Sequence, residues 1–283
     1  MSFTTIKYEK SDAVALLTLS RPERVNAINR TMLGEIQVAL DAVEADAEVR
    51  VLVVTGAGSA FSSGFDLKEQ MEARPQGVAA WRKILRDDFD PVARFWSLSK
   101  PTIAAVRGAC LASGCELALC CDITIAAEDA VFGEPELKFG AGIVVMMLPW
   151  ITGPKQAKEI IFNGLDNVGA QEALRLGIVN RVVPNGSDLE AAMAMARHIA
   201  VIDPELVRQT KKAINRAYRI MGIDEAPEAA LDIDLAIEGA GSPDKRDFMD
   251  VARRDGLRAA LAWRDARFAG APGKPGKPGK PGQ

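Results

Sequence analysis

Hydrophobic residues along this chain follow two different periods, and the change between them divides the sequence. In the first half, short continuous apolar runs at residues 14–19, 51–54, 102–106 and 123–126 alternate with stretches of helical spacing. Runs of this kind predict strands buried on both faces. Residues 6–8 read as a partner for the strand at 14–19. Between them and the next run, residues 31–45 place Met32, Ile36, Ala39, Leu40 and Val43 on one face of a helix, and an apolar helix is expected over 114–120. Buried strands with intervening helices imply an α/β core. From residue 188 onward the pattern is helical throughout, over 189–202, 204–220, 227–237 and 257–268, with Pro204 and Pro227 at helix starts. The Met, Ala and Leu faces of these helices must be covered, either by the chain's own core or by another subunit. Three regions result: an α/β core over 1–187, a helical region over 188–269, and a tail over 270–283 that repeats Gly-Lys-Pro. The tail has too few triplets for collagen and is expected to be a solvated, polyproline-leaning extension.

Composition narrows the classes of function. With 283 residues, 48% hydrophobic and 26% charged, the chain can bury a full core. A net charge of -3 and the lack of a basic stripe argue against a nucleic-acid partner. Residues 1–10 lack a basic start followed by an apolar run, and the longest uncharged stretch, 139–154, is too short to span a bilayer. A cytoplasmic protein with no membrane partner is the expectation. The four cysteines, Cys110, Cys115, Cys120 and Cys121, form no C-x-x-C pair, and the single histidine, His198, is far downstream. Buried thiols are expected, and no metal site.

Candidate chemistry concentrates in three segments. Residues 60–67 (Ala-Phe-Ser-Ser-Gly-Phe-Asp-Leu) and 108–116 (Gly-Ala-Cys-Leu-Ala-Ser-Gly-Cys-Glu) each contain a turn of small residues leading into a helix, and residues 132–136 read Phe-Gly-Glu-Pro-Glu. Turns of this kind leave backbone N–H groups open to an oxyanion, and the start of the following helix adds partial positive charge. Glu116 and Glu136 supply carboxyls which, if buried, are suited to proton transfer at neutral pH. That is equipment for enolate chemistry on a thioester. The competing reading is that the small residues only allow strands and helices to pack closely. A dinucleotide-binding turn after the strand at 51–54 lacks its third glycine, and neither Tyr8 nor Tyr218 has a lysine four residues on, which argues against a nicotinamide enzyme.

The chain resembles the enoyl-CoA hydratase/isomerase (crotonase) superfamily over almost its whole length. The resemblance is carried by residues 21–29, 60–68, 100–108, 114–118, 132–136 and 170–179, in that order and spacing. It implies a spiral of ββα units followed by a helical trimerisation region, assembled as a homotrimer or dimer of trimers. It further implies that the N–H groups of Phe65 and Ser113 form an oxyanion hole for an acyl-CoA thioester, with no cofactor beyond the coenzyme A of the substrate. Arg24, Ala27, Asp66, Leu67 and Lys68 would border that coenzyme. Glu116 and Glu136 match the pair with which similar hydratases hold and activate water, Glu136 giving the α-proton. A hydratase is favoured; a double-bond isomerase using one glutamate, or an acyl-CoA-binding protein without turnover, are the alternatives. Relative to similar hydratases, Ser113 replaces Gly and Phe65 a smaller residue. The loop at 140–147 carries bulky apolar residues that would narrow the acyl pocket, and 244–254 is longer than usual. Trp81, Phe89 and Trp96 fall in the region that walls the acyl group in similar proteins, or else belong to the core.

Overall fold

The computed structural model describes residues 3–73, 75 and 77–269, so the repetitive tail lies outside the described residues. The described residues form nine strands: β1 (Ile6–Ser11), β2 (Val14–Leu19), β3 (Val51–Gly56), β4 (Thr102–Val106), β5 (Ala109–Leu111), β6 (Ile123–Ala127), β7 (Val131–Gly133), β8 (Val168–Gly169) and β9 (Arg181–Val183). Six form one sheet in the order β1-β2-β3-β4-β6-β9, parallel apart from the β1–β2 pair. The other three form a small sheet in the order β5-β7-β8. Each turn of the chain leaves a strand in both sheets, β4 then β5, β6 then β7. Downstream of β3, Ser62 bridges to Cys110 of β5 and extends the same pattern. This is the expected spiral, with the reactive segments at the crossings from the large sheet to the small one.

Both faces of the large sheet are covered, which explains the continuous apolar runs. Leu52, Val54, Ala104 and Val106 point into the main core with α1 (Arg30–Ala45), where Met32, Ile36, Leu40 and Val43 are buried as their spacing predicts. The α1 helix is capped by Asn29, which accepts a hydrogen bond from the Met32 N–H at 2.9 Å. Val51, Val53, Ile103 and Ile125 face the other way, onto Ala192, Ala196 and Ala200 of a later helix.

Twelve helices complete the described fold. After α1 come α2 (Leu67–Ala73), α3 (Gly77–Ser97), α4 (Ser113–Cys120), α5 (Leu148–Thr152), α6 (Pro154–Phe162) and α7 (Ala170–Arg175). Then follow α8 (Asp188–Ala200), α9 (Pro204–Met221), α10 (Glu225–Ala240), α11 (Pro243–Asp255) and α12 (Leu257–Arg267). It is α8 that supplies the alanine stripe on the large sheet, so this first helix of the helical region is part of the core packing. The stretch 244–254, unassigned by periodicity, lies within α11. Phe248, Met249 and Ala252 of α11 join Ala260 of α12 in a cluster against Leu67, Met71 and Phe139, so these helices cover the chain's own core. All four cysteines are buried and unpaired. Among the described residues no helix is long and apolar enough to cross a membrane, and no group of His, Cys, Asp and Glu side chains is placed to hold a metal ion.

Arg107, in the crossing from β4 to β5, locks these layers together. It pairs at 2.7 Å with Asp188 at the start of α8, a carboxylate with no solvent exposure, and donates to the Gly56 carbonyl at the end of β3 at 3.0 Å. Removing one partner of a buried pair strands the other. Arg107→Ala is therefore expected to lower unfolding free energy by about 3–5 kcal/mol in urea titrations; a loss within about 0.5 kcal/mol would show that the pair does not hold the crossing.

Candidate active site

The two small-residue turns meet. The Phe61 N–H is shared between the carbonyls of Arg107 and Ala109, the Ser62 N–H reaches Ala109 at 3.0 Å, and the Leu111 N–H reaches the Ser62 carbonyl at 3.0 Å. A methyl group on Gly64 would lie 2.5 Å from the Ala112 Cβ, and one on Gly114 would lie 2.7 Å from the Ser62 Cβ. Both readings of these small residues hold at one place: glycine permits the close packing, and the packing brings two loops to one point. Ala112 adopts φ 53° and ψ −135°, a backbone region left almost entirely to glycine. Its N–H is anchored on the Gly133 carbonyl at 2.9 Å, which holds the strained turn in place. Directly after it stands Ser113, the first residue of α4. Among the described residues neither the Ser113 N–H nor the Phe65 N–H has an acceptor. The methyl imagined on Gly64 would be 3.2 Å from the Ser113 nitrogen, so the donor-bearing segments are adjacent.

Asn26 braces the first turn from behind. Fully buried at φ 50°, it donates from Nδ2 to the carbonyls of Ala57 and Ala60, both at 2.8 Å, and accepts from the Arg21 N–H at 2.9 Å. Its own carbonyl accepts from Ser62 Oγ at 2.9 Å. The segment 21–28 is thus fastened to the turn at 62–65.

The carboxyls sit beside these donors. Glu116, almost fully buried, accepts at Oε1 from the Val145 N–H at 2.7 Å and has no partner at Oε2. Burial, then the neighbouring Glu136, holds its carboxyl well above the usual range. Glu136 opens a 3-10 turn (Glu136–Phe139), and its Oε2 is shut off from solvent without a partner. Burial pushes Glu136 up to about 8. A third carboxyl, Glu134, is equally buried, with both oxygens unpartnered, and is raised by burial and then by Glu136. It follows directly on the end of β7, where no strand or helix period marks its inward direction.

A cavity of about 510 Å³ opens onto this arrangement. Phe65, Ser113 and Glu136 line it, as do Arg24, Ala27, Asp66, Leu67 and Lys68. Glu116 stands behind the wall. Arg24 and Lys68 are exposed and enter no ion pair among the described residues, so both cations are free for an anionic ligand. The Asp66 carboxylate, by contrast, is committed: it pairs with Arg21 at 2.9 Å and accepts from the Lys68 N–H at 3.0 Å, which positions the start of α2. The apolar run in the loop at 140–147 narrows the cavity less than its composition implies. Ile143, Val145 and Met147 turn into the core; Val144 reaches the cavity, with Ala141 and Gly142 beside it. Of the three aromatics, Trp81 lines the cavity, Phe89 is core, and Trp96 packs edge-on against Tyr218 with ring centres 5.7 Å apart. Sequence periodicity also missed the far wall, which α10, α11 and α12 supply through residues including Asp234, Lys245 and Leu261.

A family model described as Enoyl-CoA hydratase/isomerase matches residues 9–235. The chain belongs to this family. Among its curated relatives is a crotonyl-CoA hydratase of Syntrophomonas wolfei, 34% identical over 279 residues that cover 95% of this chain and 99% of the relative. A short-chain-enoyl-CoA hydratase of Clostridium acetobutylicum is 36% identical, with 77% of this chain and 84% of the relative covered. Among solved structures, an enoyl-CoA hydratase/isomerase from Xanthobacter autotrophicus Py2 superposes with a TM-score of 0.93 at 65% identity, over 94% of this chain and 99% of the other. The enoyl-CoA hydratase/isomerase fold thus extends through the C-terminal helices.

The raised Glu136 carboxyl has a measurable consequence. Unfolded, the group ionises near pH 4.3; folded, near 8, so between these values the native state holds the extra proton and stability falls as pH rises. Glu136→Gln removes that penalty. The variant is expected to match the wild type below about pH 4 and to gain on it by up to about 1.4 kcal/mol per pH unit through the window. Unfolding curves at a series of pH values check this; a pH-independent difference would contradict it.

Proposed function

We propose that this protein is an enoyl-CoA hydratase that adds water across the double bond of a trans-2-enoyl-CoA thioester. One observation carries the reading: two adjacent unpartnered N–H groups, Phe65 and Ser113, share a cavity with the protonatable Glu136. In this reading the two N–H groups bind the thioester oxygen and stabilise the negative charge that it gains when water attacks the β-carbon. Glu116, fixed at Oε1 by Val145, uses its free Oε2 to take the proton of the attacking water. Glu136 gives its proton to the α-carbon on the same face, and the two glutamates then recover their starting states by exchange with solvent. Glu136 raises the proton affinity of Glu116 in a dry site, and coupled carboxyls of this kind titrate as a pair, one ionised while the other stays protonated, which suits a base and an acid. Arg24 and Lys68 meet the phosphates of coenzyme A, and the reaction uses no further cofactor. The names of the relatives support the same chemistry.

Exposed Leu206, Ile214, Ile220 and Ile237 on α9 and α10 support assembly of a homotrimer, or a dimer of trimers, through the helical region. A second reading has its own support: Glu136 lines the cavity whereas Glu116 does not, which suits an isomerase that shuttles one proton between carbons.

Loss of conjugated-enoyl absorbance, with product identified by mass, separates the two. Hydrated product is expected from the wild type, and Glu136→Gln is expected to lower kcat by about 10²–10⁴-fold while leaving affinity for a saturated acyl-CoA within a few-fold. Conversion of a 3-enoyl-CoA to the 2-enoyl form with no hydration would establish the isomerase instead.

A further inference from the structure

The proposed reaction leaves a buried carboxyl of the cavity with neither a task nor a partner. Asp234, on α10, is 2% exposed and lines the cavity, and among the described residues neither of its oxygens has a hydrogen-bond partner. Its neighbour one turn on, Glu238, is satisfied: it pairs with Lys245 and accepts from the Gly142 N–H at 3.4 Å. Lys245 in turn stands 4.8 Å from the centre of the Trp81 ring. The cation of this cluster is therefore held by Glu238 and Trp81, and Asp234 is left over.

The loop after Glu136 makes room for that carboxyl. A methyl group on Gly142 would lie 1.7 Å from Asp234 Oδ1, so glycine at 142 is what allows the carboxyl to stand at the cavity wall. A buried carboxyl that finds no donor is costly to folding. Burial, followed by the charge of Glu238, pushes Asp234 up to about 7, and Asp234 in turn is the smallest of the influences that raise Glu116 and Glu136. Asp234 and Glu136 line the same cavity, so a ligand bound there can meet both. Trp81, Leu85 and Val144 add apolar surface to the same cavity, and among the described residues no donor is hydrogen-bonded to Asp234.

Resting on the hydratase reading, we propose that Asp234 is a specificity-determining residue that accepts a hydrogen bond from the acyl group. The cavity then selects 2-enoyl-CoA thioesters that carry a hydroxyl group beyond the reacting double bond over plain hydrocarbon chains. A neutral hydroxyl fits better than an ammonium, because Lys245 and Arg264 line the same cavity. A site built to hydrogen-bond a substrate hydroxyl discriminates strongly against the analogue that lacks it, since the buried acceptor is then left bare.

The test is calorimetric, with saturated thioesters that cannot react: hexanoyl-CoA and its 4-, 5- and 6-hydroxy derivatives, titrated into the wild type, Asp234→Asn and Asp234→Leu, with the corresponding 2-enoyl thioesters assayed for turnover. In the wild type at least one hydroxy derivative is expected to bind 10-fold or more tightly than hexanoyl-CoA. Asp234→Leu should abolish that preference while binding hexanoyl-CoA at least as well, and Asp234→Asn, whose amide oxygen still accepts, should keep part of it. Equal binding of all four thioesters by the wild type, or a preference that survives in Asp234→Leu, overturns the proposal even if hydration proceeds. So does a fall in kcat on unsubstituted substrate in Asp234→Asn with selectivity unchanged, which would move the residue into proton handling. Binding selectivity that depends on Asp234, without hydrated product from any thioester, upholds this inference and removes the hydratase reading.

Discussion

Two backbone segments, 62–65 and 111–114, approach so closely that neither Gly64 nor Gly114 has space for a methyl group. Everything reactive in this protein is referenced to that contact. It sets the two free N–H groups side by side, it forces Ala112 into a conformation that few side chains tolerate, and it starts α4 at the residue that must donate. The strain at Ala112 is local, but the restraint is distributed: the Gly133 carbonyl holds Ala112 from the small sheet, and Asn26 holds the first turn from the N-terminal loop. Two donors with no acceptor in the folded chain are an electrostatic asset only if they cannot turn away, and this network supplies the rigidity.

The same rigidity permits an arrangement of charge that would be unstable in a softer protein. Glu116, Glu134, Glu136 and Asp234 are drawn into one poorly solvated region, each held above its ordinary range first of all by burial. Folding bears that cost because the large sheet is covered on both faces and because Arg107, Asp188 and Asn26 fasten the crossings. The one backbone donor spent on a catalytic carboxyl, Val145, comes from a loop whose other apolar side chains are anchored in the core. What composition suggests is an obstruction of the pocket is in large part the anchorage of that donor.

Much of this was legible in the sequence because period and spacing encode burial directly. The first five strands of the large sheet, α1, α4, α9 and the start of α12 lie where apolar runs and the Pro204 start signal put them, whereas the three-residue β9 was not marked. Other elements were hidden for physical reasons. Helix α3 carries Pro91 in its interior, which removes a hydrogen bond and masks a 21-residue helix. The short strands of the small sheet are only two or three residues long, too brief for any period. Helix α11 is highly charged, and only its packing shows that Phe248 and Met249 face inward. Asp234 and Glu134 were invisible as site residues for a related reason: a carboxyl among polar helix or loop residues looks solvated until the tertiary structure buries it.

The wall that α10, α11 and α12 add to the cavity comes from a later part of the chain than the other candidate site residues. When synthesis has passed Glu136, the segments that carry the Phe65 and Ser113 N–H groups and the carboxyls of Glu116, Glu134 and Glu136 are complete, about a hundred residues before Asp234. The candidate donors and glutamates and the far wall of the cavity are therefore written in separate stretches of the gene. A recombination or sequence drift confined to the distal stretch can present the same donors and the same glutamates with a different acyl group, which gives this fold a simple route to new substrates without rebuilding its chemistry.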